Sequence, residues 1–203
     1  MILLALLQVS EAASNNIYMW GVGPQVSTVI YPTRFPGGFP NALEDWNYDK
    51  SRGDVEIALR GLFYLNLDSR LTGRVQLGGS PGWLTRSVDI GYDSMLTRNS
   101  GFHTMAGLSG GLGRDRYTDN DGDELEVSFA NLRVNFGGIY RNKTQAYELC
   151  VFAAYHLPFE HLYQPGINEQ VIKGAGGTYG MLGIEAAIYF GDFKPPTSKK
   201  SKK

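Results

Sequence analysis

One cysteine, Cys150, is all the chain contains, so no internal disulfide can form and cysteine usage says nothing about the compartment. Long apolar runs are missing too. After residue 8 none approaches the roughly 18 residues of a membrane-crossing helix, which excludes a helical membrane protein. Neither sign of charge dominates: 19 Lys and Arg stand against 20 Asp and Glu, for a net charge of -1. No basic field exists to hold a nucleic-acid backbone, and no nucleic-acid partner is expected. Lysine is the most telling absence. The eight lysines are Lys50, Lys143, Lys173, Lys194, Lys199, Lys200, Lys202 and Lys203, with none between Ser51 and Asn142.

What the chain does have is glycine and aromatics. Twenty-six Gly, 12 Tyr and 10 Phe in 203 residues, 42% of them hydrophobic, form the composition of a single domain of many short strands and turns. Period-2 alternation bounded by Gly, Pro, Asn and Asp predicts eight strands, near 17–30, 53–67, 71–80, 86–96, 101–114, 124–140, 145–157 and 178–190. In the second, Val55, Ile57, Leu59 and Phe63 share one parity, and Asp54, Glu56, Arg60 and Tyr64 the other. The sixth is irregular. Leu125, Val127 and Phe129 hold one parity and Leu132, Val134 and Phe136 the other, so a β-bulge is expected in the sixth strand near Ala130 and Asn131.

Every odd-numbered connection between these strands is longer than every even-numbered one, which places long loops at one end and tight turns at the other. An even strand count returns both termini to the tight-turn end. This is an all-β, eight-stranded antiparallel up-and-down barrel. Alternation alone does not say whether its greasy face points in, as in a soluble lipocalin-like ligand-binding barrel, or out, as in a membrane barrel. Lysine decides: a solvated wall without lysine would be unusual, so the polar parity faces a crowded lumen and the apolar parity faces lipid.

From Ile17 to the last strand, which ends Ile184-Glu185-Ala186-Ala187-Ile188-Tyr189-Phe190, this pattern resembles the small eight-stranded outer-membrane proteins of OmpA/OmpX type. The resemblance lies in strand and loop order and in no exact motif. It implies an outer-membrane location with periplasmic termini, outer-membrane lipid and lipopolysaccharide as surroundings, and a barrel-assembly machinery that reads a closing aromatic, Phe190 or Phe193. Met1 to Ala12 then reads as a signal peptide, although it lacks the basic start of one; a first buried strand is the alternative. Residues 13–193 form the barrel, and 194–203 a basic periplasmic tail.

Eight strands enclose a space that side chains can fill, so the expected site is a lumen charge network of Arg60, Arg74, Asp93, Arg133, Glu148 and Glu185. Within it Arg133 and Glu148, on hairpin partners, are expected to bond. His156, Glu160 and His161 offer two imidazoles and a carboxylate at a loop rim. The same resemblance brings in eight-stranded lipid A deacylases, which pair a His with a Ser two residues on. Here that position is Pro158, so the enzymatic alternative lacks its nucleophile. Asp119, Asp121 and Asp123 form an acidic loop, a weak candidate for a divalent cation and no EF-hand, because Gly122 falls at the fourth position and not the sixth. No cofactor is expected, and the role expected is structural or surface-binding through the long loops, whose partner the sequence does not specify.

Overall fold

The computed structural model describes residues 19–31, 52–80, 83–97, 101–118, 124–164, 172–174 and 179–194. The expected leader over 1–12, the tail from 195 and the Asp119, Asp121 and Asp123 loop lie outside these. The described residues form strands β1 (Trp20–Tyr31), β2 (Arg52–Asn66), β3 (Ser69–Ser80), β4 (Trp83–Met95), β5 (Phe102–Thr118), β6 (Glu124–Arg141), β7 (Gln145–Gln164), a three-residue β8 (Ile172–Gly174) and β9 (Tyr179–Asp192). Each long strand pairs antiparallel with its neighbour, and β9 closes the ring against both β7 and β1. The result is the eight-stranded barrel, with β8 an added fragment beside residues 161–163 of β7.

Polarity follows from which parity is exposed. Val55, Ile57, Leu59 and Phe63 on β2 are 47–59% exposed, whereas the intervening Asp54, Glu56, Arg60 and Tyr64 are 0–6% exposed. The same split runs through Val75, Ile90, Leu132, Leu149 and Ile184 outside and Arg74, Asp89, Arg133, Glu148 and Glu185 inside. A soluble ligand-binding barrel needs the opposite assignment and is thereby set aside. An apolar outer wall with backbone hydrogen bonds closed around the ring is what a bilayer requires of a strand-built span. The start of β1 and the end of β9 lie at the end that carries the β2–β3, β4–β5 and β6–β7 turns, and the outward residues there include aromatics. Trp20 pairs with Phe63, Phe102 with Tyr140 and Tyr140 with Tyr147, which gives a girdle where the wall meets water.

Asparagine builds the turns at that end. Asn142 Oδ1 accepts from the backbone N–H groups of Thr144 and Gln145 at 2.9 and 2.8 Å, and Asn66 Oδ1 from that of Asp68 at 2.8 Å. Inside, just above the turns, Met19, Leu62, Tyr64, Met95, Met105, Ile139, Ala146, Tyr189 and Phe193 make an apolar floor.

At the opposite end the strands run further than the alternation predicts. β5 reaches Thr118, β7 reaches Gln164, and β3 passes to β4 through residues 81–82 alone. The alternation of loop lengths therefore fails at that link, which is tighter than the 96–101 connection on the terminal side. Part of the expected loop sequence is continued hairpin.

The irregularity expected near Ala130 and Asn131 is found in the β6–β7 ladder between Ser128 and Phe129, but its extra residue is Phe159 on β7: Ser128 pairs with Glu160 and Phe129 with Pro158. Strand β6 keeps one parity throughout. Leu125, Val127 and Phe129 are 0–1% exposed and point inward like Arg133. Apolar side chains on β6 point into the lumen at this height, beside buried Asp115, so apolarity ceases to mark the outer face.

Parity can be tested by depth. Leu59 stands mid-wall on β2 and Phe63 at the girdle, so Leu59→Arg should cost about 2–4 kcal/mol of folding free energy in a bilayer and Phe63→Arg about 0–1. Urea titration in lipid vesicles measures both. Equal costs would refute the placement of the wall.

Candidate functional site: a buried charge network in the lumen

The lumen site is built from one strand position at a time, every inward residue being separated from the next by an outward one. Arg60 comes from β2, Arg70 and Arg74 from β3, Asp89 and Asp93 from β4, Arg133 from β6, Glu148 from β7 and Glu185 from β9. All eight are 0–8% exposed. On the β3–β4 ladder Arg70 stands opposite Asp93 and Arg74 opposite Asp89, so these pairs follow from register alone. The Arg74 guanidinium donates to Asp89 Oδ2 through Nε at 2.8 Å and Nη2 at 2.6 Å. Arg70 donates Nε to Asp93 at 2.8 Å and Nη2 to Glu148 at 2.5 Å across the lumen.

Arg60 is the hub. Its Nη1 reaches Glu148 at 2.5 Å and Glu185 at 3.3 Å, and its Nη2 reaches Asp93 at 3.2 Å. It also stands directly opposite Arg74 in the β2–β3 ladder, a like-charged pair that is costly by itself. Glu185 lies between the two, 3.3 Å from Arg60 and 3.8 Å from Arg74. A planar guanidinium with five donors can bridge several carboxylates at once, which a lysine ammonium does with less directional control. Amides take up remaining carboxylate lone pairs: Gln25 donates to Glu185 at 2.5 Å and Asn131 to Asp89 at 2.5 Å.

The expected Arg133–Glu148 bond is absent. In the ladder Arg133 faces Ala154 and Glu148 faces Ile139, so the two sit six residues apart along β7, about 20 Å of strand. Lying on hairpin partners does not by itself bring two inward residues to one height. Arg133 instead lies over the Phe152 ring, 3.3 Å from its centroid, and donates to Glu185. The other four expected members, Arg60, Arg74, Asp93 and Glu185, meet in one cluster with Glu148.

Arg70 and Asp89 were missed as network members. Arg70 falls in the predicted turn between the second and third strands, yet it is 0% exposed and pairs with two carboxylates. The missed signal was local: two tight residues, 67–68, suffice for the turn when Asn66 caps it.

Space for these side chains comes from the glycines of β5. A Cβ on Gly107 would collide with the Asp93 carboxylate, and one on Gly113 would lie 2.6 Å from Phe129 Cε2. Among the described residues, Arg60, Arg74, Asp93, Arg133 and Glu185 with others line a cavity of about 10 Å³ between the charges. That is the scale of a single water.

Of the expected rim residues, His156 and Glu160 lie on opposite sides of the wall. His156 is 4% exposed inside the barrel, with its ring stacked on Phe129 at 3.8 Å. The Phe159 bulge reverses the parity beyond it, so Glu160 shares the outer side of the ladder with Ser128 while His156 faces in. His161 pairs through its backbone with Val127 and Gly174. Among the described residues the one group with metal-ligand spacing is Glu148, Cys150 and Glu185. Arginines already occupy both of its carboxylates.

No protein-family model matches the sequence, and no curated protein matches it either. Solved structures do. The crystal structure of Neisserial surface protein A matches with a TM-score of 0.57 at 10% identity, covering 84% of this chain and 96% of that one. A solid-state NMR structure of outer membrane protein AlkL in lipid bilayers covers 91% of this chain and 94% of its own, at 7% identity and a TM-score of 0.48. The outer membrane protease OmpT from Escherichia coli covers 85% and 94%, at 10% identity and a TM-score of 0.41. The fold of this chain is that of a small outer-membrane β-barrel.

The network makes a thermodynamic prediction. Removing one partner of a buried pair leaves a bare charge at about 3–5 kcal/mol, while removing both costs less than the sum. Arg74→Met and Asp89→Asn should each destabilise the barrel in detergent by that amount, and the double variant should recover part of the loss. Strict additivity would deny the coupling.

Proposed function

We propose that this chain is an outer-membrane protein whose barrel is a plugged scaffold and not a conduit, with its role, structural or surface-binding, carried by the segments at the end away from the termini. The observation that carries this reading is the filled lumen. Four arginines and four carboxylates from six strands cross-link the interior and leave about 10 Å³ between them. Neither a hydrated solute nor a continuous water column passes such a layer without breaking several ion pairs.

The sequence segments 32–51 and 165–171, with their Pro, Gly and aromatic residues, then face outside the cell, and both termini face the periplasm. Of the two aromatics near the end, Phe190 stands on the outer wall, 52% exposed, whereas Phe193 is folded into the floor at 2%. Phe190 is therefore the closing aromatic open to an assembly machinery. The surrounding partners are outer-membrane lipid and lipopolysaccharide. The lipid-modifying enzyme gains no observation: His156 is packed on Phe129, and Pro158 follows it.

Two measurements test the proposal. In a planar bilayer the unmodified protein should show no steady stepwise conductance, and a large stable one would overturn the plugged lumen. On intact cells an epitope inserted within 32–51 should bind antibody, while one appended after Lys203 should bind only after permeabilisation. The reverse pattern would invert the orientation.

A further inference from the structure

Charged residues are scarce on the outer wall, and those present are gathered in one sector. On the outward parity of the described strands they are Arg86 of β4, Arg114 and Arg116 of β5, Glu124 and Glu126 of β6, Glu160 of β7 and, by register, Lys173 of β8, with Asp192 alone at the terminal end. Arg116 bonds Glu124 at 2.5 Å, and Arg114 bonds Glu126 at 3.3 Å. Arg86 is exposed, and no carboxylate of the described residues pairs with it. It stands directly opposite Arg114 in the β4–β5 ladder. Glu160 lies on the same row but beyond Ser128, three strands from Arg86.

Two guanidinium side chains opposed on one face repel unless an anion sits between them. The barrel contains its own example, since Arg60 and Arg74 are opposed in the same way and share Glu185. Among the described residues no carboxylate bridges Arg86 and Arg114, and their row lies near the outer end of the apolar wall, with only Leu84 as the next outward residue of β4. One step toward the termini the outward residues are Val88, Leu112, Ala130 and Leu157, and the bulged Phe159, 55% exposed, sits beside the row itself. In the membrane placement proposed above, the wall at that height faces lipid headgroups.

We infer that Arg86 and Arg114 form a clasp for the phosphate of a membrane lipid in the leaflet away from the termini. A phosphate offers oxygens to both guanidiniums at once, in place of the carboxylate that Glu185 supplies inside. The inference rests on the membrane placement proposed above.

The test uses the full chain in bilayer nanodiscs of phosphatidylcholine with a minor share of phosphatidic acid, with retained lipid read by native mass spectrometry. The unmodified protein should retain phosphatidic acid in preference, and Arg86→Gln or Arg114→Gln should each lower that preference about fivefold. Arg86→Glu, which pairs with Arg114 internally, should abolish it while keeping the heat-modifiable gel mobility of a folded barrel. Unchanged retention in the glutamine variants would overturn the clasp. Displacement of the lipid by millimolar inorganic phosphate would overturn the lipid assignment in favour of a free-anion site. Failure to insert into either bilayer would strike the membrane placement itself, and is distinguished by loss of the folded mobility.

Discussion

A ring of eight strands is too narrow to hold bulk water, and a bilayer demands that its outer face be apolar; together these leave the polar half of every strand facing a space where it must satisfy itself. The central charges meet that demand by pairing across the lumen, whereas both carboxylate oxygens of the buried Glu56 have no hydrogen-bond partner among the described residues. This one constraint accounts for arginine in place of lysine inside, since a fork of donors can hold carboxylates from several walls at once. It also accounts for the glycines of β5, which cede volume to Asp93 and Phe129 on neighbouring strands. Removing the charges from this interior would leave a hollow wall, and adding bulk would force the pairs apart.

The lumen is layered as a consequence. The floor by the termini is apolar, with the Phe193 ring edge-on to Tyr64 at a centroid distance of 6.4 Å. The ion pairs occupy the middle. Above them Val127, Phe129, Phe152 and Met181 return the interior to apolar packing, and His156 stacks into it. Asp54, Glu56 and Asp115 are buried among these apolar groups, and the low exposure of the central charges strengthens each pair and raises the penalty for a missing one. Burial of this kind supports a rigid scaffold more readily than a passage.

Fold class and polarity were legible because both depend on properties of single residues, namely the parity of Leu59 against Arg60 and the want of lysine along the strands. Height was not legible. Barrel strands are tilted and staggered, so residues at equal counts from different turns are not at equal depth, and Arg133 and Glu148 stand six residues of register apart. Arg70 was lost to a turn drawn too wide. The bulge was drawn from an apolar run on β6, where Leu125 to Phe129 look like a change of face but belong to the upper packing layer. Apolarity reports the lipid face only where the lumen beside it is polar.

The same alternation that defines the wall also bears on how such a chain reaches its membrane. With every second residue polar, the mean hydropathy is only -0.23, and no described helix is long and apolar enough to cross a membrane. A helical span needs about 20 consecutive apolar residues. The chain offers none between Ile17 and Phe190, and its apolar face is complete only where neighbouring strands pair with one parity outward. The ion pairs act at that step too. Arg70 with Asp93 and Arg74 with Asp89 lie within one hairpin, while Arg60 and Arg133 reach Glu148 and Glu185 on strands far along the chain. Local pairs can thus fix the register of β3 and β4 early, and the long-range pairs form only when the ring closes, which makes closure and charge satisfaction a single cooperative event.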